Sequence, residues 1–424
     1  MNHICQGKYV HANRPVLINS WEAFYFDFDA PKLLGLADAA TDLGMELFVL
    51  DDGWFGKRDD STSSLGDWYP NEEKLKGTLK ELAEKINAKG LKFGLWIEPE
   101  MTNKDSDLYR AHPDWLLAEQ GKRICHSRTQ YVLDFSKKEV REYIGDMLEN
   151  LLAEVPVSYI KWDMNRTFSE VFSNGNDREY QGKVCHKYIL GVYELYERLT
   201  SRFPHVLFES CASGGARFDP GMLYYAPQGW TSDDTDAIER LKIQYGTSMV
   251  YPVSCMGSHV SASPNHQTNR VTPIETRADV AYFGTFGYEL DLLKLGEEDK
   301  AEIRRQIAFM KEKRDLIQKG TFYRLKSPFE GNETAWMIVS EDQKKALVGY
   351  YRVMQPVNVG FKRLKLKGLK EDTCYKVSGY AYDCYGDELM QVGMILSDSA
   401  SGVWKKGVND KGDFQAEVFE IVAV

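Results

Sequence analysis

From about residue 15 to residue 320, short β-forming apolar runs alternate with stretches whose apolar positions recur at helical spacing. That alternation predicts parallel βα units. Eight runs read as strands: VLINSW (16–21), LFVLDD (47–52), KFGLWIE (92–98), SYIKWD (158–163), VLFESC (206–211), PQGWTS (227–232), MVYPVS (249–254) and FGTFGYEL (283–290). Among the helices, Pro31 to Gly44 and Leu79 to Gly90 each end in a glycine free to take the left-handed C-cap conformation. The clearest helix runs from about Ser136 to Ala153, where Val140, Tyr143, Ile144, Met147, Leu148 and Leu151 share a face and Ser136 with Glu139 spells a capping box. A ninth strand-like run, QYVLDF (130–135), is assigned to the long connection before that helix.

Eight parallel strands, each followed by a helix, close into a (β/α)₈ TIM barrel. An open doubly wound sheet would need a Gly-rich phosphate loop after an early strand, and the sequence has none. After about residue 325 the texture changes to short alternating strands broken by polar turns: TAWMIVS, KKALVGYY and CYKVSGYAY. The predicted fold class is therefore α/β, with a catalytic barrel over 1–325 and a small antiparallel β-sandwich domain over 326–424.

The net charge of −10 is spread without basic runs, which argues against a nucleic-acid partner. No run approaches the roughly 18 apolar residues of a membrane span, and the start lacks the apolar core of a signal peptide, so a cytoplasmic protein without a membrane partner is expected. Seven scattered cysteines, at 5, 125, 185, 211, 255, 374 and 384, show no zinc spacing and are expected to be reduced.

Catalytic groups of such barrels sit at the C-terminal ends of the strands. Those ends are rich in acids here: LFVLDDGW, FGLWIEPEM, YIKWDMNR and WTSDDTD. Strand alternation puts Lys161 and Asp163 on one face, where the lysine is expected to hold the aspartate ionised, as a glycosidase nucleophile requires. A structural Lys–Asp pair is the rival reading. In WTSDDTD, Asp236 precedes a helical stretch with Glu239 three residues on and reads as its N-cap. Asp233 and Asp234 are nearly even as candidates for the acid. Asp51 and Asp52 can cap a turn, bind a divalent metal or accept hydrogen bonds from vicinal sugar hydroxyls, with Trp54 and Trp96 as stacking faces. The sugar reading ranks first and the metal last.

Together these segments, with ESCASGGARFDPGMLYY, MGSHVSASPNHQTNR and YGDELMQVG, resemble the α-galactosidases of glycoside hydrolase family 36. The resemblance runs in family order from about residue 10 to 325 and continues into the tail. It implies a retaining double displacement with Asp163 as nucleophile and Asp233 as acid/base, which separates Asp233 from Asp234. It also implies a galactose subsite lined by Trp21, Asp51, Asp52, Trp96, Arg128, Lys161, Cys211 and Gly214, with the DDGW acids on O4 and O6. Retention asks for carboxyl groups about 5–6 Å apart.

The loop Cys211-Ala212-Ser213-Gly214 resembles the galactosidase pattern rather than that of α-N-acetylgalactosaminidases, although the family's usual spelling carries more glycines. Family members also carry a large N-terminal β-sandwich that takes part in assembly, whereas this chain begins almost at the barrel. A homo-oligomer is compatible with the resemblance. The expected substrates are terminal α-galactosides such as melibiose, raffinose and aryl galactosides, with no cofactor and no metal. The competing functions are an α-N-acetylgalactosaminidase or galactosyl transglycosylase on the same fold, an inactive galactose-binding protein, and, more remotely, a metal-dependent barrel lyase or isomerase.

Overall fold

The computed structural model describes residues 4–125, 127–357, 362–396 and 412–424. Parts of both expected domains, at 1–3, 126, 358–361 and 397–411, lie outside them. Eight strands form a closed barrel: β1 (Leu17–Asn19), β2 (Leu47–Leu50), β3 (Lys92–Ile97), β4 (Tyr159–Trp162), β5 (Leu207–Ser210), β6 (Gln228–Trp230), β7 (Met256–Ser261) and β8 (Thr285–Glu289). Each neighbours the next in chain order, and β8 returns to β1. A helix follows every strand: α1 (Ala30–Leu43), α2 (Leu79–Ala88), α3 (Lys138–Glu154), α4 (Val184–Arg202), α5 (Pro220–Tyr225), α6 (Ala237–Thr247), α7 (Ile274–Ala281) and α8 (Glu297–Lys319). β2, β4 and β5 are buried at every position, as strands covered on both faces should be. The register aligns Leu47 with Lys92, Trp96 with Lys161 and Lys161 with Glu209, so the ends of β3, β4 and β5 open at one level.

Local chemistry explains the helix limits. Asp29 caps α1 by accepting from Lys32 N at 3.0 Å, Leu33, Leu36, Ala37, Ala40 and Leu43 bury one stripe, and Gly44 ends it at φ 91°. Thr78 and Glu81 form a full capping box on α2. The box expected at Ser136 and Glu139 does not form. α3 starts at Lys138 behind the uncapped Lys137, because the Ser136 hydroxyl donates instead to Asp134 Oδ1 at 2.6 Å. The seventh strand also differs from its expected place: it runs over Met256–Ser261, not 249–254. Pro252 breaks the earlier run, which becomes the end of a loop and a single 3₁₀ turn, Val253–Cys255. QYVLDF stays outside the barrel, with Gln130–Val132 pairing antiparallel to Met101–Asn103.

By compactness the chain divides into residues 1–233 with 288–300 and residues 234–287 with 301–424. The first unit contains every residue implied above for catalysis and sugar binding. In the second, an antiparallel sheet orders β9 (Thr321–Lys326), β10 (Glu333–Val339), β11 (Lys345–Arg352), β14 (Gln415–Ala423), β12 (Cys374–Val377) and β13 (Cys384–Tyr385). One face of it covers a core that includes Met337, Val348, Tyr375 and Ile421. The other packs towards α7, where the Tyr351 hydroxyl donates to Asp279 O at 2.7 Å and Trp336 meets Phe283 edge to face at 5.7 Å.

Candidate active site

Asp51 and Asp52 leave the end of β2 in opposite directions, and each is held by a different cation. Asp51 accepts from Lys161 Nζ at 3.0 Å and from Asn19 Nδ2 at 2.7 Å. Asp52 receives both arms of the buried Arg58 guanidinium, Nε on Oδ1 at 2.9 Å and Nη2 on Oδ2 at 2.7 Å. This fork fixes the plane of the carboxylate. Arg58 is itself fixed by donating to Ser63 O and Asn103 Oδ1, at 2.9 and 3.2 Å.

Lys161 therefore pairs with Asp51, not with Asp163 as strand alternation had suggested. Burial pushes its ammonium down, but the acids around it, Asp51 first and then Glu289, prevail and hold it well above the usual lysine range. Asp163 is held by neutral donors. Oδ2 accepts from Asn165 Nδ2 at 2.7 Å and from the Trp96 indole at 3.2 Å, while Oδ1 accepts from Met164 N at 2.8 Å and Ser213 N at 3.3 Å. Four N–H groups on one buried carboxyl fix its orientation.

Trp96 thus contributes its N–H to the site while its ring stacks on Phe55 at 6.3 Å. Trp54, read above as a stacking face, is wholly buried behind it and donates to Trp96 O at 2.9 Å, so it is core. Trp21 lies half-buried after β1, its ring set edge-on to Tyr25 and Phe26 at 5.2 Å each. Arg128 stands at the surface in a left-handed conformation, φ 52°, and donates to Asn165 Oδ1 at 2.9 Å and Ser213 Oγ at 3.0 Å.

The loop after β5 joins the two candidate catalytic acids. Cys211 is buried beside Asp163, and burial, reinforced by the Asp163 charge, pushes its thiol well up. Ser213 N reaches Asp163, and the next residue, Gly214, lies against the backbone of Asp233. A Cβ on Gly214 would meet Ser232 Cα at 2.6 Å and Asp233 N at 2.8 Å, and its φ of 80° also demands glycine. Asp233 Oδ1 accepts from Trp230 Nε1 at 3.1 Å. Its carboxyl faces solvent but is crowded by protein, and this desolvation, followed by the charge of Asp163, raises its pKa. Asp236 is the N-cap of α6, accepting from Ile238 N at 2.8 Å and paired with Arg270 at 2.6 Å. Asp234 accepts from Asp236 N at 3.0 Å, which occupies it with the turn.

Sequence reasoning assigned no site role to Asn19, Arg58, Glu98, Asn165 or Ser213. Asn165 lies two residues beyond Asp163 in YIKWDMNR, Arg58 six beyond Asp52, and Ser213 within the loop Cys211–Gly214, whereas Asn19 and Glu98 act on partners distant in sequence.

Residues 1–320 match the family model described as Melibiase, and residues 333–421 match that of the glycosyl hydrolase family 36 C-terminal domain. The chain belongs to glycoside hydrolase family 36. Family relatives include α-galactosidase AgaA of Geobacillus stearothermophilus, 52% identical over 95% of this chain and 56% of the relative. The bifunctional α-galactosidase/sucrose kinase AgaSK of Mediterraneibacter gnavus is 53% identical over 93% of this chain and 41% of that protein. The chain thus spans about half the length of these family 36 relatives. The crystal structure of AgaA superposes with a TM-score of 0.95 at 51% identity, covering 99% of this chain and 57% of that one. AgaA variants have been solved with raffinose and with stachyose.

Proposed function

We propose that this chain hydrolyses terminal α-galactosyl groups with retention, Asp163 acting as nucleophile and Asp233 as acid/base. The observation that carries the reading is the loop Cys211–Gly214, which puts one N–H on Asp163 and packs its glycine on the backbone of Asp233. Asp163 attacks C1 of the sugar as Asp233 gives its proton to the departing glycosidic oxygen. Asp233, now ionised, takes a proton from water, which displaces Asp163 from C1 and releases galactose in the α form. The raised pKa of Asp233 suits the first step, and the neutral donor shell of Asp163 suits a group that must stay ionised until it attacks.

Asp51 and Asp52 take the O4 and O6 hydroxyls in this reading, with Lys161, Trp96, Arg128, Cys211, Gly214 and Trp21 completing the galactose subsite. Carboxylates fixed by Lys161 and Arg58 offer acceptors in set directions, and this reading gives them the selection of an axial over an equatorial O4. Raffinose-type oligosaccharides are the proposed natural class, supported by the complexes of AgaA. No disulfide joins the seven cysteines among the described residues, in keeping with the proposed cytoplasmic setting. Residues 1–325 are proposed as the catalytic barrel and 326–424 as its β domain.

The test is turnover of an aryl α-galactoside, melibiose and raffinose, beside the 2-acetamido analogue, by the chain and by Asp163→Asn. Hydrolysis of the galactosides, lost by about three orders of magnitude or more in Asp163→Asn, is the expected result. Full activity in that variant, or preference for the 2-acetamido sugar, contradicts the reading.

A further inference from the structure

Glu98 follows β3 directly and is completely buried, yet double displacement has no step for it. Its Oε1 accepts the backbone N–H of Asn165, and its Oε2 accepts Gln130 Nε2 at 3.2 Å. The residue it grips is the one that grips the nucleophile: Asn165 Nδ2 donates to Asp163 Oδ2 at 2.7 Å. Moreover, the two consecutive N–H groups of the turn after β4 divide between the two acids, Met164 N going to Asp163 and Asn165 N to Glu98. We propose that Glu98 is a positioning residue for the nucleophile, acting through Asn165. The proposal rests on the reading of Asp163 as nucleophile.

The turn after β4 is held at two successive amides, Met164 N and Asn165 N. A fixed acceptor under the Asn165 N–H sets the peptide plane, and from there the short side chain reaches the carboxyl. The far end of that amide is clamped separately, its Oδ1 accepting from Arg128 Nη1 at 2.9 Å and from Ser213 Oγ at 3.1 Å. Removing Glu98 would leave the part-buried Asn165 N without its acceptor and free the turn to rotate, which misdirects the attacking oxygen while leaving the sugar's hydroxyl contacts in place. The protonation of Glu98 fits this role. Burial, with the charge of Asp163 beside it, pushes its pKa up to about 8. At neutral pH it therefore accepts the N–H without setting a second negative charge against the nucleophile. The groups that face it are Asp163 and Asn165 from the turn after β4, Arg58 from the loop after β2, whose charge draws the pKa back down, and the uncharged Gln130.

A buried acid that is merely accommodated would affect stability and leave the chemistry alone, so the test uses a double-mutant cycle on rate. kcat and KM on an aryl α-galactoside are measured for the chain, Glu98→Met, Glu98→Gln, Asn165→Ala and the double variant Glu98→Met/Asn165→Ala. Glu98→Met, which removes the acceptor, is expected to lower kcat about 10–100-fold with KM within about twofold, whereas Glu98→Gln, which keeps a neutral acceptor for the Asn165 N–H, is expected to stay within about threefold of the parent. The double variant is expected to fall no more than about threefold below Asn165→Ala alone, because both changes break one route. A kcat for Glu98→Met within about twofold of the parent, a Glu98→Gln no better than Glu98→Met, or a double variant showing the product of the two losses, overturns the proposal. Should Glu98→Met not fold, Glu98→Ala takes its place in the same cycle with the same criterion. Activity surviving in Asp163→Asn would instead sink the nucleophile assignment; an inactive Asp163→Asn beside a normal Glu98→Met sinks this proposal alone.

Discussion

Lys161 Nζ sits 3.0 Å from Asp51 Oδ2, so the buried lysine at the end of β4 neutralises the acid at the end of β2 and leaves Asp163 to its N–H donors. The consequence is a separation of labour. A nucleophile in a tight ion pair would have to break that pair in order to attack, whereas one held by backbone and amide N–H groups keeps its charge available. Removing one partner of a buried pair strands the other. Lys161→Met is therefore expected to destabilise the fold by about 3–5 kcal/mol, and adding Asp51→Asn to recover part of the loss. Urea denaturation of the three proteins checks this; an unchanged midpoint in Lys161→Met would show that the pair is not buried as described.

Gly214 packs its bare Cα against the backbone of Asp233. Gly214→Ala forces a Cβ into that contact at a left-handed φ of 80°. The expected result is about 1–3 kcal/mol of strain relieved by moving the loop, with kcat falling more than stability because Asp233 and the Ser213 N–H both shift. A variant with full kcat would mean that this loop does not set the geometry of the acids.

Asp233 has its pKa raised by desolvation and by Asp163. As the proposed acid it is protonated for the first step, so kcat/KM should fall as pH rises through its pKa, and this alkaline limb should vanish in Asp233→Asn. The same variant should lose about 10²–10⁴-fold on melbiose-type alkyl leaving groups, and far less in the first step of an aryl galactoside whose leaving group needs no proton. Equal losses on both substrates would remove Asp233 from the role of acid.

Glu98 bears on stability as well as rate. Its pKa stands at about 8 in the folded protein, well above the ordinary carboxylate value, so between about pH 4.5 and 8 the native state holds a proton that the unfolded chain has released. Stability contributed at the acid end is lost as pH rises through that window. Glu98→Gln abolishes this part of the slope, and the difference in melting temperature between the two proteins should shift towards the variant on going from pH 5 to pH 8. A constant difference contradicts the assignment.

The barrel was legible because its strands are short apolar runs separated by helices, and the candidate acids were read from the rule that such barrels keep their chemistry at strand ends. The misplaced seventh strand shows a limit. MVYPVS has the β-branched texture of a strand but holds Pro252, whereas the true strand, MGSHVS, is built from small and polar residues that fit a crowded barrel interior. Ser136 and Glu139 spelled a capping box, yet Asp134 competed for the same hydroxyl. Trp54 and Trp96 looked alike in sequence, and only packing separates a core indole from one aimed at Asp163. Arg58 and Glu98 escaped notice for a related reason: their partners, Asp52 across a loop and Asn165 across two strands, are matched by folding and not by spacing.

The central claim is that Asp163 and Asp233 perform two successive inversions at one carbon. The most direct measurement is the anomer of galactose first released from an aryl α-galactoside, followed by NMR before mutarotation. The account predicts the α anomer; a β anomer as the first product would contradict it.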